Sequence, residues 1–223
     1  MPEVQFLGHA CFRIRGRDGT IVCDPYHRSI GLDLGRPTAS IVTVSHHHPD
    51  HDNSSAVRPL RDRVFVVDGP GEYEIGGVLI TGVRTFHDQA KGAERGFNTV
   101  YIIHLDDLVF CHLGDLGHEL TTSQLEEIGS NVDVLFVPVG GGETIGPALA
   151  SNVISQIEPR FVIPMHYAMG QTNFDPPLAP IERFISEMGL KEYTAEEKFV
   201  INANALPDDE EQTRIVFLRP IHG

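Results

Sequence analysis

Four histidines and one aspartate fall within six residues at His46-His47-His48-Pro49-Asp50-His51. They directly follow Ile41-Val42-Thr43-Val44, a β-branched run that reads as a buried strand, so the cluster lies where a strand ends in a loop. In extended backbone, residues i and i+2 point the same way. His46 and His48 can therefore converge on one ion. Pro49 then bends the chain, and Asp50 and His51 can turn toward a second ion nearby. His47 sits between ligands and is expected to point away from metal. Imidazole and carboxylate suit zinc, manganese or iron. The competing account is a solvated histidine-rich loop, and spacing this dense seldom arises that way.

The pattern resembles the signature of the metallo-β-lactamase superfamily. That family adds a lone His, an Asp in a Gly-Asp pair and a last His, each after a strand. This sequence offers His87 in Thr85-Phe86-His87-Asp88, Asp115 in His112-Leu113-Gly114-Asp115-Leu116-Gly117, and His166 in Pro164-Met165-His166-Tyr167. The resemblance covers nearly the whole chain. It implies two divalent metal ions, zinc first, with manganese or iron as alternatives. It gives His46, His48 and His87 to one ion, and Asp50, His51 and His166 to the other, with Asp115 bridging. Two cations close together need such an anionic bridge. A water they share loses its proton near neutral pH and becomes a nucleophile, which is hydrolytic chemistry. Asp50 is expected to be catalytic as well as a ligand, because its second carboxylate oxygen can orient that water and pass a proton to the leaving group. A narrower resemblance rests on Leu7-Gly8-His9-Ala10-Cys11 followed by Asp24-Pro25. It points to the branch containing ascorbate-6-phosphate lactonase and N-acyl phosphatidylethanolamine phospholipase D.

Further residues surround this constellation. Asp24 either orients a ligand histidine, since metal-bound imidazoles usually donate their other N–H to a carboxylate, or caps the Asp-Pro turn. His9 and His112 either support ligands, contact substrate, or simply pack. Asp88, beside His87, is a candidate partner for that ring. Gly140-Gly141-Gly142-Glu143-Thr144 reads as a flexible connection, or as backbone N–H groups close to substrate. His104, His118 and His222 read as surface or packing residues. Cys11, Cys23 and Cys111 each sit in an apolar run and read as buried small hydrophobes.

These positions need strands that end together. Strands are expected at 4–7, 11–14, 21–23, 41–44, 64–67, 99–105, 108–111, 132–139, 161–163, 199–201 and 215–218. Segment 72–86 reads as a hairpin around Gly76-Gly77, and Asp106-Asp107 reads as another turn. Helices are expected at 122–128, 148–157 and 180–188, where apolar residues recur at helical spacing. Segment 207–213 is acidic and reads as an exposed loop. Strands first, then strands alternating with helices, fit an α/β four-layer αββα sandwich in a single domain over residues 1–223.

Composition bounds the function. Lys and Arg total 17 against 31 Asp and Glu, a formal charge of −14. Such a chain repels polyanions, so no nucleic-acid partner is expected. Five of the 12 histidines occupy the positions assigned to metal. The N-terminal residues lack a basic region followed by an apolar stretch, and no apolar run approaches a membrane span. A cytoplasmic location without membrane contact is the expectation. The leading reading is a metal-dependent hydrolase acting on a small-molecule ester, lactone or phosphodiester. The alternatives are a nuclease or RNA-processing enzyme of the same fold, and a non-hydrolytic metal-binding protein.

Overall fold

The chain alternates strand and turn so regularly that eleven strands precede the first α-helix. A computed structural model describes all residues except 171, 173, 208–211, 222 and 223. The expected loop at 207–213 and His222 thus lie mostly or wholly outside the described residues. The first sheet has six strands in the order Phe199–Val200, Glu3–Gly8, Cys11–Arg15, Thr20–Cys23, Ile41–Thr43 and Phe65–Val67. The second has seven, in the order Arg214–Ile215, Phe161–Met165, Val134–Pro138, Leu108–His112, Phe97–Leu105, Val78–Phe86 and Gly71–Ile75. The hairpins at 76–77 and 106–107 form as expected. All four turn residues have positive φ, which a two-residue hairpin of type I′ demands. The expected strand at 215–218 divides: Arg214–Ile215 joins the second sheet, and Phe217–Leu218 pairs with Ala195–Glu196.

The sheets pack face to face over an apolar layer that includes Phe6, Phe12, Ile103, Phe110 and Phe136. Phe12 and Phe136 meet across it with ring centroids 4.4 Å apart. Helices α1 (Thr122–Ile128), α2 (Pro147–Ile157) and α3 (Ile181–Glu187) cover the outer face of the second sheet. Over the first sheet the outer layer is made of the 24–57 segment, with short 3-10 turns at Arg28–Ile30 and Ser54–Ala56. Pro25, Pro37 and Pro49 punctuate that segment and prevent a long helix. Strands Val134–Pro138 and Phe161–Met165 are buried at every position, as central parallel strands should be. No helix among the described residues is long and apolar enough to cross a membrane.

Strand direction places the chemistry. Glu3–Gly8 is antiparallel to Cys11–Arg15, which is antiparallel to Thr20–Cys23, which is parallel to Ile41–Thr43. His9, Asp24 and His46 therefore all lie past the same end of the first sheet. In the second sheet Val78–Phe86 and Leu108–His112 are both antiparallel to Phe97–Leu105, and Leu108–His112 runs parallel with the strands before Pro138 and Met165. His87, Asp115 and His166 thus also share one end. These are carboxyl ends of strands, where α/β sheets present their functional loops.

One side chain ties the two sheets together just beneath that end. Tyr101 is fully buried, and its hydroxyl reaches Val44 O at 2.8 Å and Val67 O at 3.2 Å. Tyr101→Phe keeps the packing but leaves a buried carbonyl without this donor. A loss of about 1–3 kcal/mol is expected, read as a lower urea midpoint at constant m. An unchanged midpoint would show that this bond does not hold the sheets.

Candidate metal centre

The histidine run begins two residues beyond strand Ile41–Thr43, and its first ring is held from behind. Ser45 Oγ donates to Asp24 Oδ2 at 2.6 Å, so the same oxygen is left to accept from His46 Nδ1 at 2.9 Å. His51 Nδ1 donates to Asp24 Oδ2 at 2.8 Å, and Asp24 Oδ1 accepts from Ser45 N at 2.8 Å. Both rings thereby turn their Nε2 atoms inward. Pro49 forces the bend: His51 N and Asp52 N both close on His48 O, at 2.9 and 3.1 Å. His47 is exposed and lies 3.7 Å from Asp52 Oδ2, on the opposite side as expected.

Asp115 stands at the centre. His51 Nε2 lies 3.2 Å from its Oδ1, while His87 Nε2 and His166 Nε2 each lie 3.3 Å from its Oδ2, and His46 Nε2 3.8 Å away. The Gly-Asp loop is moulded to fit. Gly114 has φ +54, and a Cβ there would meet Asn98 Oδ1 at 2.4 Å and Ser45 Cβ at 2.5 Å. Gly117 passes so close to the His87 backbone that a Cβ would approach it at 2.4 Å. Asn98 then fixes the loop, accepting from Asp115 N at 2.9 Å and donating to Leu113 O at 2.9 Å.

Among the described residues, three groups of side chains bring potential ligand atoms within 4.8 Å of one another: His46, His48 and His87; His46, His51 and Asp115; and His9, Asp50, His51 and His166. All seven residues singled out as metal ligands are in these groups, joined by His9. His9 Nε2 lies 3.1 Å from Asp50 Oδ2 and 3.3 Å from His51 Nε2, and Phe174 stacks on its ring at 4.8 Å. A narrow cleft of about 60 Å³ opens onto His48, Asp50, His87, Asp115 and His166. The buried atoms His46 Nε2, both nitrogens of His87, His166 Nδ1 and Asp115 Oδ1 have no hydrogen-bond partner. Buried polar groups are seldom left so, and clustered lone pairs of this type are what a divalent cation takes up. The donor set fits such ions.

Two outer candidates take other roles. Asp88 does not support His87. Its carboxylate accepts from the backbone N–H of Ala90, Gly92, Glu94 and Arg95 at 2.7–3.1 Å, folding the 88–96 loop around itself. His112 is fully buried, with Nε2 donating to Ala10 O at 2.9 Å and Nδ1 accepting from Gly114 N at 3.2 Å. It is a strut between the His9 and Asp115 loops, and both nitrogens are spent on backbone rather than substrate. His118 accepts from Phe86 N at 3.1 Å, a packing role. Ser45, Asn98 and Phe174 were not singled out in the sequence. Only Ser45, adjoining His46, carried a local hint.

Electrostatics follow from burial and neighbours. Burial pushes His51 down, but Asp115, Asp50 and Asp24 outweigh it and its pKa is raised. Burial opposes ionisation of Asp115, Asp50 and Asp24 as well, yet the surrounding imidazoles hold all three below the usual carboxylate range. Burial and His51 keep His46 low.

The chain belongs to the β-lactamase superfamily, whose domain family it matches over residues 3–166, and its fold is that of the metallo-β-lactamases. Several of its relatives are named metal-dependent hydrolases, and the chain is one as well. A UPF0173 metal-dependent hydrolase of Thermococcus onnurineus is 30% identical, covering 80% of this chain and 88% of that protein. A second, from Pyrococcus horikoshii, is 29% identical over 75% and 85%. Among solved structures, a Thermotoga maritima protein described as a Zn-dependent hydrolase of the metallo-beta-lactamase superfamily is 35% identical. It superposes with TM-score 0.77 over 98% of this chain and 99% of its own.

The buried state of His9 yields a pH dependence. Burial, then the neighbouring His166, push its pKa down to about 4 from 6.5. Between those values the unfolded chain binds a proton that the folded chain does not, so stability rises with pH across that window and flattens above it. His9 alone accounts for up to about 3 kcal/mol. Urea unfolding of metal-free protein from pH 4 to 6.5 should show a rise that includes this share, and His9→Gln should make it shallower. An equal slope in the variant would contradict the assignment.

Proposed function

We propose that the protein is a hydrolase with a dinuclear centre, acting on a small ester, lactone or phosphodiester. The observation that carries this reading is the ring of four imidazole nitrogens around the buried Asp115 carboxylate, of which His46 Nε2 and His87 Nε2 have no hydrogen-bond partner. His46, His48 and His87 would hold one divalent cation, and Asp50, His51 and His166 the other, with Asp115 between them. Bound there, the cations would lower the pKa of a shared water and polarise the bond under attack. Zinc is the first choice of metal, with manganese or iron as alternatives.

The chain's own groups do the rest. Asp24 fixes His51 directly and His46 through Ser45, which orients both rings with Nε2 toward the cluster, where a cation would take the place of any proton held there. Asp50 lines the cleft, with Oδ2 steadied by His9 Nε2. Its carboxylate would accept a proton from the attacking water and return it to the leaving group. Phe174 and Leu178, which also line the cleft, keep bulk water from the reacting bond.

The test joins elemental analysis to kinetics. Protein purified without added metal and then reconstituted should hold close to two divalent ions per chain. It should turn over at least one class in a panel of lactones, carboxylic esters and phosphodiesters. Asp50→Asn should lower kcat by about 10²–10⁴ while metal content falls much less. Asp24→Asn should instead weaken metal affinity roughly 10–100-fold. Activity loss in Asp50→Asn that merely tracks lost metal would reduce Asp50 to a ligand, and absence of tight metal would overturn the reading.

A further inference from the structure

A second hollow of about 450 Å³ adjoins the metal cleft, and Glu143 lines both. Arg95 lines it too and forms an ion pair with Glu143. The loop that carries Arg95 is built to stay in place. Asp88 gathers four backbone N–H groups of that loop, including Arg95 N at 2.8 Å. Opposite, Glu143 sits on a tight turn closed by Thr144 N to Gly141 O at 3.3 Å, with Gly141 and Gly142 at positive φ. Two stretches that the hydrolytic mechanism leaves unused, the Asp88 loop and the triple-glycine turn, therefore serve to oppose one guanidinium and one carboxylate beside the reacting centre.

The charges around them are unequal. Asp50, Asp115, Glu143 and Asp175 face the metal cleft, whereas Arg95 is the one Lys or Arg among the described residues lining either hollow. Arg95 and Glu143 are 36% and 31% exposed, so their pairing contributes little to stability. A guanidinium presents a planar fork that fits carboxylate or phosphate bidentately. Exchange of the Glu143 carboxylate for another oxyanion thus costs the fold little and preserves the bonding of Arg95.

We propose that Arg95 determines specificity by receiving an oxyanionic group, carboxylate or phosphate, that the substrate carries beside its scissile bond, with Glu143 occupying that place until substrate arrives. The proposal rests on the hydrolase reading and narrows its substrate class to anionic small molecules. The acidic cleft turns such a substrate away everywhere except where Arg95 and the metals receive it.

The test uses metal-loaded protein and two esters with the same reacting carbonyl and leaving group. These are mono-p-nitrophenyl glutarate, with a free carboxylate, and its methyl ester, with none. Arg95→Gln should raise KM for the carboxylate ester about 10–100-fold more than for the methyl ester, the value of a charged hydrogen bond. Glu143→Gln should lower KM for the carboxylate ester, since its competitor is gone. Calorimetric binding of monomethyl glutarate gives a readout that needs no turnover. Wild type should bind it, Arg95→Gln at least about tenfold more weakly, and Glu143→Gln more tightly. Turnover of neither ester would count against the hydrolase reading, and calorimetry would still decide the role of Arg95. Equal effects on both esters, or equal binding by wild type and Arg95→Gln, would make the pair a structural clasp and overturn the proposal.

Discussion

Asp115 is only 2% exposed, and four imidazole nitrogens lie within 3.8 Å of its carboxylate oxygens. Withdrawing such a charge from water costs several kcal/mol unless neighbours compensate. Much of the sequence is arranged around that compensation. Without metal, His51 and His87 answer the charge by holding protons more firmly, as their raised pKa values indicate. A pair of divalent cations would answer it more completely and displace those protons. The same buried charge would then couple the integrity of the fold to occupancy of the centre.

That demand propagates outward through backbone geometry. His9, Asp24 and His166 each adopt positive φ, at 57°, 44° and 53°, a conformation that costs a non-glycine residue about 1–3 kcal/mol. All three are the first residues beyond a strand end, turned sharply so that the side chain faces the cluster. The strain is held by bonds that over-determine it: His166 N to His9 O at 2.9 Å, Asp24 N to Thr43 O at 2.9 Å, and the His112 strut beneath. Stability built up in the apolar layer between the sheets is spent where the chemistry sits. Tyr101, which joins the sheets, and Asn98, which fixes the Asp115 loop, belong to the same strand, Phe97–Leu105.

The clustering of the candidate ligands was legible in the sequence because their residue types and spacing are local. His46, His48, Asp50 and His51 fall in one run, and His87, Asp115 and His166 each follow an apolar strand. The strands and hairpins were legible for the same reason, since Gly76-Gly77 and Asp106-Asp107 announce their turns. What the sequence hid was set by tertiary contact. Asp88 looks like a partner for its neighbour His87, yet its oxygens point along the loop to four N–H groups, because a short side chain bonds nearby backbone first. His112 looks able to meet substrate, yet it is buried, with one nitrogen bonded to Ala10 O, about a hundred residues away in sequence, and the other to Gly114 N. The outer layer over the first sheet proved to be loop and 3-10 turn, since three prolines interrupt it. Arg95 and Glu143 carried no motif at all, because their pairing spans two loops that only the fold brings together.

The central claim is that Asp115 organises a pair of metal sites. Anomalous diffraction at the zinc edge, from crystals of protein reconstituted with zinc, tests it most directly. The account predicts two peaks flanking Asp115, roughly 3.5–4 Å apart, one beside His46, His48 and His87 and the other beside Asp50, His51 and His166. A single peak remote from Asp115, or none, would contradict it.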